Sequence, residues 1–272
     1  MVTVNEIEVK GILTKTKIPA ADYVINPYVG CPHKCIYCYA EFMKRFTNHH
    51  EPWGDFIDVK QCSRKINIER LKNATVNFSS VTDAYNPFEK KFKKTRELLE
   101  QFAGSEVKIE ILTKSDLVIR DIDLFKKIPH IRIGISMNTL DDAIRKITEP
   151  RASSIKKRLD ALKTLHEQKI KTWVFLSPIF PGITDFKAII HACKPYTGAF
   201  YFENLNLRGA YRARVMKYIA DYHAGLLPLY KEIYQRGDIG YWEEMEKEIH
   251  AFCKKNKLNY GSYFYHEKIR KK

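Results

Sequence analysis

Cys31, Cys35 and Cys38 stand in a C-x3-C-x2-C spacing inside the segment NPYVGCPHKCIYCYAEFMKRF, residues 26–46. Three thiols this close do more than fill a core, so the fold has to supply a loop on which they converge. Thiolates are polarizable and suit soft metals and iron–sulfur clusters. Three of them leave one iron of a cubane without a protein ligand. An open iron is a place for chemistry, as an open position on zinc is. Zinc stays open as an alternative, because His33 lies inside the stretch and His49 and His50 lie beyond it. A structural zinc site calls for four ligands, however, and no fourth Cys or His follows at a usual spacing. A disulfide with one spare thiol has less behind it, since nothing marks the chain as secreted.

Around this loop the chain alternates between short β-rich runs and amphipathic helical runs. Strands are expected over residues 23–29, 75–79, 107–112, 131–137, 171–176 and 199–203, the first delivering the cysteine loop. Helices are expected to begin over residues 40–46, to include 122–127, and to run over 154–168 and 185–193. Another opens at Asn86-Pro87-Phe88-Glu89, with Asn as N-cap, Pro in first position and Glu in third. Its Phe88, Phe92, Leu99 and Phe102 form one apolar face. Strands alternating with helices imply parallel pairing through right-handed crossovers. Residues 1–21 read as a short extended lead-in, and 47–70, with Pro52 and Gly54, as mostly loop. From Tyr211 the pattern is helical, with a closing strand at 260–265 and a basic tail.

The cysteine spacing, with Tyr37 just before the last thiol, resembles the cluster loop of radical S-adenosylmethionine (SAM) enzymes. NPYVGC and CYCYA resemble the branch that includes spore photoproduct lyase. ADYVINPYVGC, followed by FMKRF and EPWGDFIDVK, is most similar to the group called radical SAM mobile pair protein B. The resemblance implies an α/β fold, a partial (β/α)6 TIM-type barrel over residues 22–207, with the lead-in before it and a mainly helical extension over 208–272. Chemistry in such barrels sits on the loops after the strands. The implied cofactors are a [4Fe-4S] cluster on Cys31, Cys35 and Cys38, and SAM on the open iron.

The same resemblance implies contacts to SAM. Thr82 would meet the methionyl amino group, or else cap the next helix together with Asp83. Lys114 follows an apolar strand and would pair with the SAM carboxylate. Ser136 and Asn138 share a face by strand alternation and would hold the ribose and carboxylate. Arg151 would support the carboxylate or cap the following helix. Ile179 would pack on the adenine, Gly182 would give the backbone its close approach, and the backbone near Tyr37 would bond the adenine edge. Tyr39 is a candidate radical relay, with plain packing as the alternative. Arg120 and Asp121 read equally well as a structural ion pair, and Cys62, Cys193 and Cys253 as buried thiols. Spore photoproduct lyase has a cysteine hydrogen donor where Ser80 stands here, or Val81 after a one-residue slip. A serine O–H is too strong to replace a thiol, so thymine-dimer repair by that route is not expected.

With 272 residues, 44% of them hydrophobic, the chain can bury one large core. No apolar run approaches the roughly 20 residues of a membrane span, and the first residues lack the apolar centre of a signal peptide. A cytoplasmic location with reduced thiols is expected. Lys and Arg number 47 against 32 acids, a formal charge of +15. That field favours nucleic acid, nucleotides, other anionic substrates, or an acidic electron donor of flavodoxin or ferredoxin type. Three functions follow: a radical SAM enzyme, a nucleic-acid-binding protein with a structural iron–sulfur or zinc site, and a SAM-binding partner of a companion radical SAM protein.

Overall fold

The computed structural model describes residues 1–264; Tyr265, expected to end the closing strand, and the basic tail lie outside them. From the N-terminus the strands are β1 (Thr3–Glu8), β2 (Leu13–Lys15), β3 (Tyr23–Ile25), β4 (Tyr28–Val29), β5 (Phe56–Gln61), β6 (Thr75–Phe78), β7 (Lys108–Thr113), β8 (Ile131–Ser136), β9 (Lys171–Ile179), β10 (Phe200–Asn204) and β11 (Tyr260–Ser262). Eight form one sheet in the order β11-β10-β9-β8-β7-β6-β3-β2. All neighbours in it are parallel except β2 and β3. Strands laid down in sequence order by right-handed crossovers put every crossover helix on one face. On that face Phe78 meets Phe102 at 5.9 Å and Phe202 meets Phe186 at 6.3 Å. The result is a mixed α/β architecture built on a mainly parallel eight-stranded sheet, as expected of a partial barrel, with helices Tyr211–Tyr222 and Gly240–Lys255 following it.

Four local expectations change. The lead-in is not merely extended: β1 pairs in parallel with β5, Thr3 opposite Phe56. β5 itself lies inside the segment read as loop. Pro52 and Gly54 mask it in the sequence, yet Phe56, Ile57 and Val59 are wholly buried. The expected strand over 23–29 breaks at Asn26-Pro27, where proline lacks an N–H for the ladder. β3 stays in the large sheet, and β4 turns away to pair with β5 in a second sheet of order β1-β5-β4. The helix expected from Asn86 is also divided. Asn86 Oδ1 accepts from Phe88 N at 3.0 Å, but Lys93 takes a left-handed φ of 53°. The helix restarts at Lys94–Glu100, and the buried Glu89 carboxylate accepts from Thr95 N at 2.9 Å and Arg96 N at 3.3 Å. Arg120 joins Glu89 at 2.6 Å and Asp121 at 2.7 Å, which makes the Arg120–Asp121 pair structural.

The small sheet is held by His49. Its Nε2 lies 2.8 Å from Asp58 Oδ1, its Nδ1 lies 3.1 Å from Glu51 Oε2, and its ring stacks on Phe56 at 3.9 Å. Burial disfavours the imidazolium, but the two carboxylates outweigh it and raise the His49 pKa. A raised folded-state value gives stability that is complete below the unfolded value of about 6.5 and is lost as pH rises through the folded one. Melting temperature should therefore decline as pH climbs from the acid side of that window into the alkaline range. His49→Gln should flatten the decline; an unchanged slope in thermal melts across pH would refute the assignment.

Candidate metal and cofactor site

The cysteine loop begins at Gly30, whose φ of +87° is left-handed. A Cβ there would sit 2.5 Å from the Phe56 carbonyl oxygen. Only glycine meets both conditions without moving backbone. Gly30→Ala should therefore displace the loop and cut iron loading of the purified protein severalfold, read by iron analysis; full loading would count against this account.

Three segments tie the loop down. Thr82 Oγ1 donates to Gly30 O at 2.6 Å. Ile36 N donates to Thr148 O at 3.0 Å, and Arg151 N to His33 O at 3.3 Å. Trp53 Nε1 donates to Cys38 Sγ at 3.3 Å. His33 Nδ1 lies 3.4 Å from Asp83 Oδ2. Asp83 also accepts from Thr113 Oγ1 at 2.7 Å and Lys114 N at 2.9 Å, so it links the loops after β6 and β7. Burial works to raise the Asp83 carboxyl, but His33, Thr113 and the Lys114 N–H hold it down at about 2.

All three thiols are free. Burial pushes each of them up, and at Cys31 the neighbouring Cys38 and Cys35 add to the effect. A cationic centre is what such a set needs to bind as thiolates. Among the described residues, no three His, Cys, Asp or Glu side chains converge closely enough to hold a single metal ion. A cluster spread over several iron atoms needs no such convergence. His49 is committed to Glu51 and Asp58, and His33 faces Asp83.

The remaining candidates gather at consecutive strand ends. Asn138, 2% exposed, donates from Nδ2 to Tyr37 Oη at 3.4 Å, while its Oδ1 is buried without a partner. Ser136 Oγ donates to Ser177 O at 3.3 Å. The Lys114 ammonium lies 5.7 Å from the centre of the Tyr37 ring. Among the described residues it makes no ion pair within 4.0 Å. Burial disfavours its charge, but Glu149 and Cys35 more than compensate and raise its pKa. Thr82 spends its proton on Gly30 and keeps its oxygen as an acceptor. Ile179 is wholly buried at the end of β9. Tyr39 is 57% exposed, and its hydroxyl donates to Ser80 O. Arg151 points elsewhere: it donates to Gly54 O at 2.8 Å and Asp55 Oδ1 at 3.0 Å. The helix after it, Ile155–Glu167, is capped by Ser154.

Two residues beneath the site escaped the sequence reading. Glu149 accepts from the Tyr37 hydroxyl and pairs with Arg158, both side chains being wholly buried. Arg158 also donates to Ser136 O at 3.1 Å. The signal was present, since Arg158 shares a helical stripe with Ile155, Leu162 and Leu165, where a charge is out of place.

Comparison with known proteins places these features in context. The model of the Radical SAM superfamily matches residues 25–192. An uncharacterised protein of Methanocaldococcus jannaschii is 43% identical over 209 residues, 77% of this chain and 80% of that one. A radical SAM Nα-GlyT isomerase of Pseudomonas phage M6 is 27% identical over 167 residues, 61% of this chain and 35% of its own. Spore photoproduct lyase complexed with dinucleoside spore photoproduct shares the fold, with a TM-score of 0.57 and 16% identity over 74% of this chain. The match spans 61% of that lyase.

Proposed function

The chain belongs to the radical SAM superfamily, and from that premise we propose that it is an enzyme in which Cys31, Cys35 and Cys38 hold a [4Fe-4S] cluster beside SAM. When bound, these groups supply reductive cleavage of the SAM sulfonium and a 5′-deoxyadenosyl radical that abstracts hydrogen from substrate. The protein's own part is position and exclusion of water. Lys114 offers its ammonium to a carboxylate, and Thr82 offers its hydroxyl oxygen to an ammonium. Ser136 and Asn138 face hydroxyl and carboxylate groups, and Ile179 offers an apolar wall to an adenine, with the backbone near Tyr37 at its edge. The observation that carries the reading is that Asn138 Oδ1 is buried without a partner, while Asn138 Nδ2 and the Lys114 ammonium both face Tyr37 and Lys114 makes no ion pair within 4.0 Å among the described residues. Buried polar atoms without partners cost stability unless a ligand completes them.

Arg151, bound to Asp55, would steady the loop before β5 rather than reach SAM itself. Tyr39, hydrogen-bonded to Ser80, is the residue we propose as a radical relay. The substrate class we propose is nucleic acid, nucleotide or another anion, in keeping with a charge of +15 and the dinucleoside ligand named for the lyase. Thymine-dimer repair is not proposed, because Ser80 carries no thiol. The electron would come from an acidic donor of flavodoxin or ferredoxin type. Among the described residues no helix is long and apolar enough to cross a membrane, and we propose a cytoplasmic setting.

The test is anoxic reconstitution followed by reduction with SAM. The expected result is roughly four iron and four sulfide per chain and formation of 5′-deoxyadenosine. Salt-sensitive binding to DNA with no SAM cleavage would instead favour a nucleic-acid-binding protein with a structural metal site. Cleavage only when the genomic neighbour is added would favour a partner of a companion radical SAM protein.

A further inference from the structure

Alternation along the strands sends every second side chain to the face of the large sheet that carries no crossover helix. The two faces differ sharply. Val174, Leu176, Phe200 and Phe202, on the helical side, are 0–1% exposed. Trp173, Phe175 and Tyr201, which alternate with them, and Tyr263 beyond β11 all keep accessible surface. Large aromatic groups left open on a concave face are a place where something packs.

Trp173 is set out as a platform. It pairs with Gly134 across β8 and β9, and a Cβ on Gly134 would lie 2.4 Å from its ring. The indole therefore lies flat on the bare glycine backbone, with its other side turned away from the sheet. Tyr201 stands at 85° to it, 5.3 Å between centroids, and Phe175 leans over it at 58° and 5.8 Å. Tyr263 closes on Phe175 at 85° and 6.4 Å. At the rim Arg132 donates to Glu110 at 3.1 Å and to Tyr201 Oη at 3.3 Å. The indole N–H lies beside Glu110 but outside hydrogen-bond geometry. Guanidinium donors and carboxylate oxygens both remain in excess there. Ser136, a candidate SAM contact, lies on the same face two residues beyond Gly134, roughly 7 Å along the strand.

We infer that Trp173 is the stacking platform for a nucleobase of the substrate, held between Tyr201 and Phe175 with its edge read by Glu110 and Arg132. The inference rests on the radical SAM reading for the position of the chemistry, and it narrows the anionic substrate to one with a base. A flat π-system suits the half-buried indole. A heterocycle with both donors and acceptors on its edge answers a carboxylate beside a guanidinium, whereas a phenyl or phenol ring would desolvate them without return. The charge of +15 suits the attached phosphates.

The probe is thymidine 5′-monophosphate, added to the reconstituted full chain with SAM saturating so that the adenine site is filled. Calorimetry gives affinity, and tryptophan emission reports stacking, with Trp173→Phe as the reference for Trp53 and Trp242. The nucleotide should quench the wild-type emission. Trp173→Leu should weaken binding about 5- to 100-fold, whereas Trp173→Phe should stay within about threefold of wild type. If Trp173→Leu does not fold, the quench that separates wild type from Trp173→Phe decides the matter. Equal affinity in wild type and Trp173→Leu, or no quench in wild type, overturns the inference. So does tighter binding of N-acetyltyrosinamide, or full competition by inorganic phosphate alone. Trp173-dependent binding without 5′-deoxyadenosine on reduction would uphold this site and sink the radical SAM reading instead.

Discussion

Cys35→Ala should empty the protein of its cluster and take 5′-deoxyadenosine formation to background. The three thiols are the only cysteines near the loop; Cys62, Cys193 and Cys253 lie far along the chain, and the latter two are wholly buried. No spare thiol is placed to take over. Cys35 is also the thiol that feels Lys114 and Glu149 most directly, so its loss also alters the electrostatic setting of the Lys114 ammonium. Iron should fall from roughly four per chain to below one, and the visible absorbance of the reconstituted protein should disappear with it. Because two thiolates remain, residual weak iron binding is compatible with this outcome. A Cys35→Ala protein that still cleaves SAM is not, and it would overturn the assignment of the loop. Far-ultraviolet circular dichroism should stay close to wild type, since the large sheet does not depend on this side chain.

Glu149→Ala should be the most destabilising single change outside the sheet core. Glu149 and Arg158 have no exposed side-chain surface, and removing one partner leaves the other charge buried without compensation, at a cost of about 3–5 kcal/mol. Burial alone would raise the Glu149 carboxyl, yet Arg158 and Lys114 hold it below its ordinary range, which keeps the pair ionised. Melting temperature should drop by roughly 6–15 °C. The loss should reach the cluster loop as well, because the Tyr37 hydroxyl donates to this carboxylate and Asn138 donates to Tyr37. The paired change Glu149→Leu with Arg158→Met should recover much of the melting temperature, as apolar replacements for buried ion pairs do. It should not recover SAM affinity. A Glu149→Ala protein that melts within about 2 °C of wild type would show that the pair contributes little.

Much of the molecule was written in local pattern. The cysteine spacing placed the loop, and the strand-then-helix rhythm carried the parallel sheet, because side-chain periodicity is a property of neighbours in sequence. The polar residues that follow strands, Lys114, Ser136 and Asn138, could be picked out for the same reason. Arg151 could not be resolved between two roles, and its actual partner Asp55 lies 96 positions away.

What tertiary structure alone decided is of that non-local kind. β5 looks like loop between Pro52 and the polar residues around it, and becomes a strand only because β1, more than fifty residues earlier, lies beside it. The break at Asn26-Pro27 sends β3 and β4 into different sheets, a choice made by partners that local sequence does not name. Glu149, Arg158 and Trp173 carry no local pattern that names their roles, beyond Arg158 being a charge on an apolar helical stripe. Their roles arise from desolvation, which depends on what the rest of the chain brings to cover them, whereas the spacing of three thiols needs only the chain itself.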